Sequence, residues 1–183
     1  NDTNMKIELA YNQMNNQITY SKKGFDQQFW QVEVIERYTG QKLLLAEKGK
    51  HIRKPTWLNN KEIIYRLYDE TSCEIRRATI DIKSQEYSSV KVFPCNPDSY
   101  SSSIREFGEG EVLITEAELN NTASSLFIGD LNTGQIKRVD ISNGGGAGFY
   151  NVITTPYSEL IVLLSSVDGA KFKIQLVNPN NEW

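Results

Sequence analysis

The stretch KPTWLNNKEIIYR, Lys54 to Arg66, decides the fold. A proline stands two residues before a tryptophan, then comes a polar turn, then a short run of β-forming residues. That order describes one hairpin of an ordinary sheet, or one unit of a periodic architecture whose other units must be findable in the same chain. Runs of the same chemistry do recur: NQITYSKKG around Ile18, KEIIYRLYD around Ile63, GEVLITEAE around Leu113 and SELIVLLSS around Ile161, at steps of 45, 50 and 48 residues. Each follows a polar turn (NQMNN, LNNK, FGEGE, TPYSE). Each also meets a second landmark roughly 20 residues later (ERYTGQ, DIKSQE, DLNTGQ, VNPNN).

Within a unit the pattern reads as short strands joined by tight turns, with almost no segment of helical period. In the second unit the strands are expected at Lys54–Trp57, Glu62–Tyr68, Cys73–Ile82 and Tyr87–Phe93. A four-stranded meander has two apolar faces and cannot cover both alone, and stacking meanders face to face covers them. The expectation is therefore an all-β, β-propeller-type chain of about four antiparallel four-stranded blades, near 5–48, 52–93, 99–142 and 148–183, in a single domain over 1–183. The competing architecture is a plain antiparallel sandwich with a coincidental rhythm. The last blade lacks its outer strand, since NNEW ends the chain, which predicts a partial or open propeller. The edge near Phe172–Val177 is then left without a partner, and such an edge invites self-association or a protein partner.

Beyond the rhythm, PTWLNNKEIIYRLYDETSCEIRRATIDIKSQE resembles the TolB-like propeller repeat, in which proline, a spacer, tryptophan and a polar turn precede an apolar strand. SLFIGDLNTGQIKRV is similar to the third strand, Asp-x-x-Thr-Gly turn and fourth strand of that repeat. All four units carry the resemblance, the second over its whole length. Tyr11 stands where Trp57 does and the first unit has no proline; Phe107 and Tyr157 lie near that place in the third and fourth. The motif specifies architecture and leaves activity open, because one fold hosts many functions. The resemblance implies a non-catalytic, periplasmic, sensory or protein-interaction domain of a membrane-anchored winged-helix transcriptional regulator of the CadC/ToxR type. The alternatives it implies are a free periplasmic adaptor that binds envelope proteins, and the propeller cap of a prolyl-oligopeptidase-like hydrolase.

Charge and hydropathy narrow the partners. A net charge of −3 with no Lys/Arg block argues against nucleic-acid contact through this chain. Apolar runs such as Leu160–Leu164 are far too short to span a bilayer, so membrane attachment would come from a segment outside these residues. The chain opens on NDTNMK, without a signal peptide or initiator Met, and excision from a longer protein is expected.

Cys73 and Cys95 sit at the open end of the third–fourth strand hairpin of the second unit. A turn centred at Ser84 pairs residues whose numbers sum to 168, which sets the two thiols opposite one another. Directly opposed Cβ atoms come within about 4.5–5.5 Å, close enough to bridge. A disulfide is expected, and with it an oxidising compartment such as the periplasm. The competing reading is a pair of reduced, buried cysteines.

Catalytic chemistry is thin. His51, the one histidine, lies in EKGKHIRK between the first two units, and no GxSxG elbow accompanies it. The run NGGGAG lacks the Lys-Ser/Thr ending and the helix of a phosphate loop, and reads as a linker. Acidic residues form no Asp-x-Asp ladder, and no further His or Cys ligands join the cysteines, so neither a metal nor a cofactor is expected. What remains is a surface. The second–third and fourth–first connections share one end of the blades, and Phe25, His51, Arg53, Tyr68, Tyr100 and Phe149 are its candidate contact residues. Trp30, Trp57, Tyr20 and Tyr65 are assigned to the core.

Overall fold

Alternating β-formers between polar turns produce fifteen strands, and no helix, among the described residues, which are 4–98, 103–108, 110–117, 124–139, 148–154, 161–166 and 172–177 of a computed structural model. The first sheet is β1 (Met5–Asn12), β2 (Gln17–Lys23), β3 (Gln31–Glu36) and β4 (Lys42–Leu45). The second is β5 (His51–Trp57), β6 (Glu62–Tyr68), β7 (Cys73–Asp81) and β8 (Glu86–Pro94), and the third is β9 (Ser103–Glu106), β10 (Glu111–Ala117), β11 (Ser124–Asp130) and β12 (Ile136–Arg138). The fourth has three strands, β13 (Gly148–Thr154), β14 (Ile161–Ser166) and β15 (Phe172–Val177). Every sheet is an antiparallel meander in chain order, as the repeat predicts. The chain divides into two compact units, Asn1–Pro97 with the first two sheets and Asp98–Trp183 with the others.

The second landmark of the first three repeats has a mechanism, and that of the fourth, VNPNN, lies past Val177 outside the described residues. Glu36, Asp81 and Asp130 end the third strands, and each carboxylate accepts backbone N–H groups two and three residues on: Tyr38 (3.0 Å) and Thr39, Lys83 (2.9 Å) and Ser84 (3.3 Å), Asn132 (2.7 Å) and Thr133 (3.2 Å). These hydrogen bonds hold all three carboxyls below their usual range. The turn then needs a left-handed residue, supplied by Gly40 (φ 71°), Gln85 (φ 62°) and Gly134 (φ 71°). Thr-Gly at this place is the turn chemistry itself: Thr39 and Thr133 Oγ1 accept from the Gln41 and Gln135 N–H groups at 3.2 and 3.3 Å.

The proline of the opening stretch also finds its reason. Two residues of β1, Glu8 and Leu9, stand opposite one of β2, and two of β5, Lys54 and Pro55, stand opposite one of β6. These are β-bulges at equivalent places in successive blades, with Glu8 and Lys54 both left-handed (φ 60° and 58°). A bulge is where a strand tolerates proline, because the ladder asks for no N–H there. The register of β13 on β14 also shifts between Phe149 and Asn151.

Between the first two sheets lies the core of the first unit. Val32, Val34, Leu43 and Leu45 of the first sheet meet Ile52, Trp57, Ile63, Tyr65, Leu67, Ala78 and Ile80 of the second, all at or below 9% exposure. Trp57, Tyr20 and Tyr65 are buried as expected. On the other side of the first sheet a buried Glu33 accepts from the Tyr20 hydroxyl and from Lys22 Nζ at 2.6 Å.

Cys73 and Cys95 form a disulfide with Cα atoms 5.0 Å apart. The register that brings them together differs from the expected one. The β7–β8 turn is centred between Lys83 and Ser84, and pairs run Asp81↔Glu86 through Arg76↔Lys91, one short of the expected sum. A bulge at Val92 then adds one residue, restoring Ile75↔Phe93 and Glu74↔Pro94, and so Cys73 meets Cys95. Without that bulge Cys73 would face Pro94.

Candidate functional site

The end of the first two sheets that carries the β2–β3, β4–β5 and β6–β7 connections gathers the aromatic and cationic side chains. His51, expected in a loop, is instead the first residue of β5 and pairs in register with Tyr68, the last of β6. Its ring stacks on Tyr68 with centroids 5.0 Å apart and takes the edge of Phe29 at 5.2 Å. The Arg66 guanidinium also lies over the Tyr68 ring, 4.8 Å from its centroid. Backbone ties hold the row in place: Trp30 N–H donates to His51 Nδ1 (3.2 Å), and Ile52 N–H donates to the Trp30 carbonyl (2.9 Å).

Trp30, expected in the core, lies outside it. It is half-buried, with the Arg53 guanidinium 4.8 Å from its ring centroid. The backbone reason is its place just before β3, where the chain still belongs to the connection and its side chain follows no strand alternation. Cation–π contact at such a partly exposed site contributes about 0.5–1 kcal/mol.

Glu8 organises the charges. From its bulge it accepts from Ser21 Oγ (2.6 Å), from Arg53 Nη2 and Nε (the latter at 3.3 Å), and from the Lys54 backbone N–H (3.0 Å), with Lys54 Nζ at 3.4 Å. One bulge therefore clamps the next. Burial pushes the Glu8 carboxyl up, but Ser21, Arg53 and the Lys54 N–H more than reverse it and hold it below the usual carboxylate range. Burial would lower Arg53, and hydrogen bonds from its guanidinium to Glu8 and Tyr68 raise it instead. His51 is held below its ordinary value, first by burial and then by the positive charges of Lys23 and Arg53. Its Nδ1 is the acceptor for Trp30, so the neutral ring is the form the site is built around.

Arg66 is the residue sequence reasoning passed over. It is 3% exposed. Its Nε donates to Cys73 Sγ at 2.9 Å, and its Nη2 donates to the Asn96 carbonyl and, at 3.5 Å, to that of Pro97. One guanidinium thus joins the disulfide, the segment leaving it and the aromatic row. The available signal was its position: in EIIYRLY every residue from Ile63 to Leu67 is buried, and a strand buried on both faces has no outward slot for an arginine.

Of the six expected contact residues, His51, Arg53 and Tyr68 come together in this cluster. Phe25 stands apart at the tip of the β2–β3 connection, 98% exposed, on a turn closed by Gln27 N–H to Gly24 O (3.2 Å) and Gly24 N–H to Gln27 Oε1 (3.0 Å). Tyr100 and the Phe149 side chain lie outside the described residues. Among the described residues no group of three His, Cys, Asp or Glu is placed to hold a metal ion.

No family model and no curated protein sequence matches the chain. Solved structures do. TolB from Acinetobacter baumannii superposes with a TM-score of 0.67 at 14% identity, over 97% of this chain and 42% of that one. The fold is that of a TolB-like propeller. A chain from a structural and mechanistic analysis of two prolyl endopeptidases matches with a TM-score of 0.66 at 12% identity, over 95% of this chain and 28% of that one. Oligopeptidase B from Leishmania major gives 0.60 at 13%, over 96% and 25%. This chain therefore spans less than half of each of these TolB-like and peptidase chains, and identities this low speak for fold and not for activity.

Proposed function

We propose that this chain is a non-catalytic protein-interaction domain that works outside the cytoplasm. The observation that carries this reading is the half-buried row Phe29–His51–Tyr68, backed by the buried Arg66, with its neighbour pair Trp30–Arg53. Aromatic rings and guanidinium groups dominate the energetics of protein interfaces, and here stacking and hydrogen bonds hold them in place before any partner arrives. The disulfide supports an oxidising compartment. In its fuller form the reading is the periplasmic sensory part of a membrane-anchored winged-helix regulator, with the DNA-contacting residues outside these 183. The edge of β15, which no strand pairs among the described residues, is a second place for a protein partner or another copy.

A photo-crosslinking residue at Phe25 tests the interaction reading in the native cell, with Tyr38 at the opposite end of the first sheet as the control. A discrete adduct at 25 that disappears in Tyr68→Ala, and none at 38, is the expected result. Equal labelling at both positions, or none at either, sinks it. The coding sequence upstream of Asn1 tests the fuller form, which requires a winged-helix pattern and one apolar span of about 20 residues. A cleavable signal peptide there, with further blades downstream, would make the chain part of a free adaptor, the reading that the TolB superposition favours. An α/β-hydrolase pattern downstream would make it a peptidase cap, which the two peptidase superpositions favour.

A further inference from the structure

We propose that Cys73–Cys95 is a directional thiol–disulfide exchange site for a dithiol reductant, with Cys95 the sulfur attacked and Cys73 the thiolate that leaves. The inference stands independently of the interaction reading above.

The two sulfurs occupy unlike surroundings. Cys73 is 7% exposed and receives the Arg66 Nε–H at 2.9 Å, whereas Cys95 is half-buried, beyond the end of β8 at the mouth of the hairpin. A thiolate next to a guanidinium is stabilised, and in exchange the sulfur with the more stable thiolate is the better leaving group. Access and leaving-group quality therefore select the same direction. The incoming thiolate forms a bond to Cys95 Sγ while the Cys95–Cys73 bond breaks, and the electron pair departs on Cys73 Sγ beside Arg66. The second thiol of the reductant, deprotonated, then attacks its own sulfur in the mixed disulfide, releasing Cys95 as a thiolate that takes up a proton. The protein gains two electrons and the dithiol becomes a disulfide.

Arg66 also connects this exchange to the loop-end row. The guanidinium that meets the departing sulfur is the one that lies over the Tyr68 ring and holds the Asn96 and Pro97 carbonyls. Reduction places an anion on one side of this group and removes the covalent tie on the segment it holds. His51 stacks on the same Tyr68, so the state of the bond is felt within the face.

Glutathione serves as the probe, because a monothiol stops at the mixed disulfide. The oxidised chain is mixed briefly with glutathione at neutral pH, quenched in acid, alkylated and mapped by peptide mass spectrometry. At early times glutathione is expected on Cys95 with alkylated Cys73, about tenfold or more over the reverse. A ratio near one, or an excess on Cys73, overturns the proposal. Arg66→Gln is expected to lower the ratio several-fold if it folds, leaving only the preference that access gives, and an unchanged ratio in the folded variant overturns the role of Arg66. Should Arg66→Gln fail to fold, Cys95→Ser exposes the same chemistry: its Cys73 thiol is expected to ionise below the ordinary value of about 8.5, followed by thiolate absorbance, and ionisation at or above that value overturns it.

Discussion

The seam between the first two sheets is held by different chemistry at its two ends. At the end of the β1–β2 and β5–β6 turns the ties are neutral amides: Asn12 Nδ2 donates to the Asn59 carbonyl at 2.8 Å, and Asn15 Nδ2 donates to that of Asn60. At the loop end the ties across the seam are the Glu8 carboxylate with the Arg53 guanidinium and the Lys54 N–H, and Phe29 against the His51 ring. Beside them the second sheet carries the Arg66 guanidinium and the disulfide within itself. The neutral end can register two backbones and do little else. The other end carries groups whose charge or covalent state can change, and it leaves Glu8, His51 and Cys95 half-exposed while Arg66 and Cys73 are buried behind them. A fold that needs only rigidity has no use for that asymmetry, which is why the loop end is the candidate site.

The largest expected effect comes from removing the covalent part of the loop end. Closing a loop over a sequence separation of 22 stabilises by about 3 kcal/mol, so Cys73→Ser/Cys95→Ser should lower the urea unfolding free energy by about that much. A variant as stable as the parent would leave the loop end no stronger than the turn end.

Next in size is Glu8→Gln, which strips the charge from a half-buried clamp with three hydrogen-bonding partners. It should cost about 2 kcal/mol, against about 1 kcal/mol for Asn12→Ala at the turn end. Equal losses would erase the contrast. Acid sharpens it: because the Glu8 carboxyl is lowered on folding, its contribution is complete above the ordinary 4.5 and is lost as pH falls through that value towards the folded one. The Asn12 tie has no such dependence, so the Glu8-dependent difference should shrink on acidification in urea titrations.

His51 gives a smaller and differently placed signal. Its value is lowered on folding, so the neutral ring's contribution is present above 6.5 and is lost as pH falls below it. An NMR titration of the ring should show a midpoint below 6.5, and His51→Phe should keep the stack while abolishing that pH dependence. A midpoint at or above 6.5 would remove the titratable character claimed for this end.

The smallest effects belong to the three β-turns whose left-handed residue is Gly40, Gln85 or Gly134. A Cβ at Gly40 would meet nothing within 4 Å, so Gly40→Ala tests backbone conformation alone and should cost about 1 kcal/mol. Gln85→Gly should gain less than that, since it gives up the Gln85 Nε2–H bond to the Ile82 carbonyl at 2.6 Å. Thermal unfolding of the two variants measures both.

Much of this architecture is legible in the sequence. Strands Glu62–Tyr68 and Phe172–Val177 fall where the repeat put them, because period-2 chemistry bounded by turn residues is a local signal. The Asp-x-x-Thr-Gly turn is local as well, whereas the bulge at Lys54–Pro55 shows only in the pairing of β5 with β6. Less legible was anything that depends on a neighbouring strand. Trp30 resembles a core residue by type and became a ring under Arg53; Arg66 resembles an ordinary strand residue and became the link between disulfide and face.

The cysteine pair separates the two kinds of knowledge most clearly. Sequence alone determined that Cys73 and Cys95 end the two strands of one hairpin, along with the four repeats, the turns and the absence of a local catalytic motif, because each of these is set by residues close together in the chain. Only the tertiary structure decided that a bulge at Val92 brings the thiols into register, that Glu8 of one blade clamps the bulge of the next, and that Arg66 reaches Cys73, Asn96 and Tyr68 together. Those contacts join residues up to 46 apart, and the pairing of strands and the stacking of sheets, which no local pattern encodes, alone bring such residues within hydrogen-bonding distance.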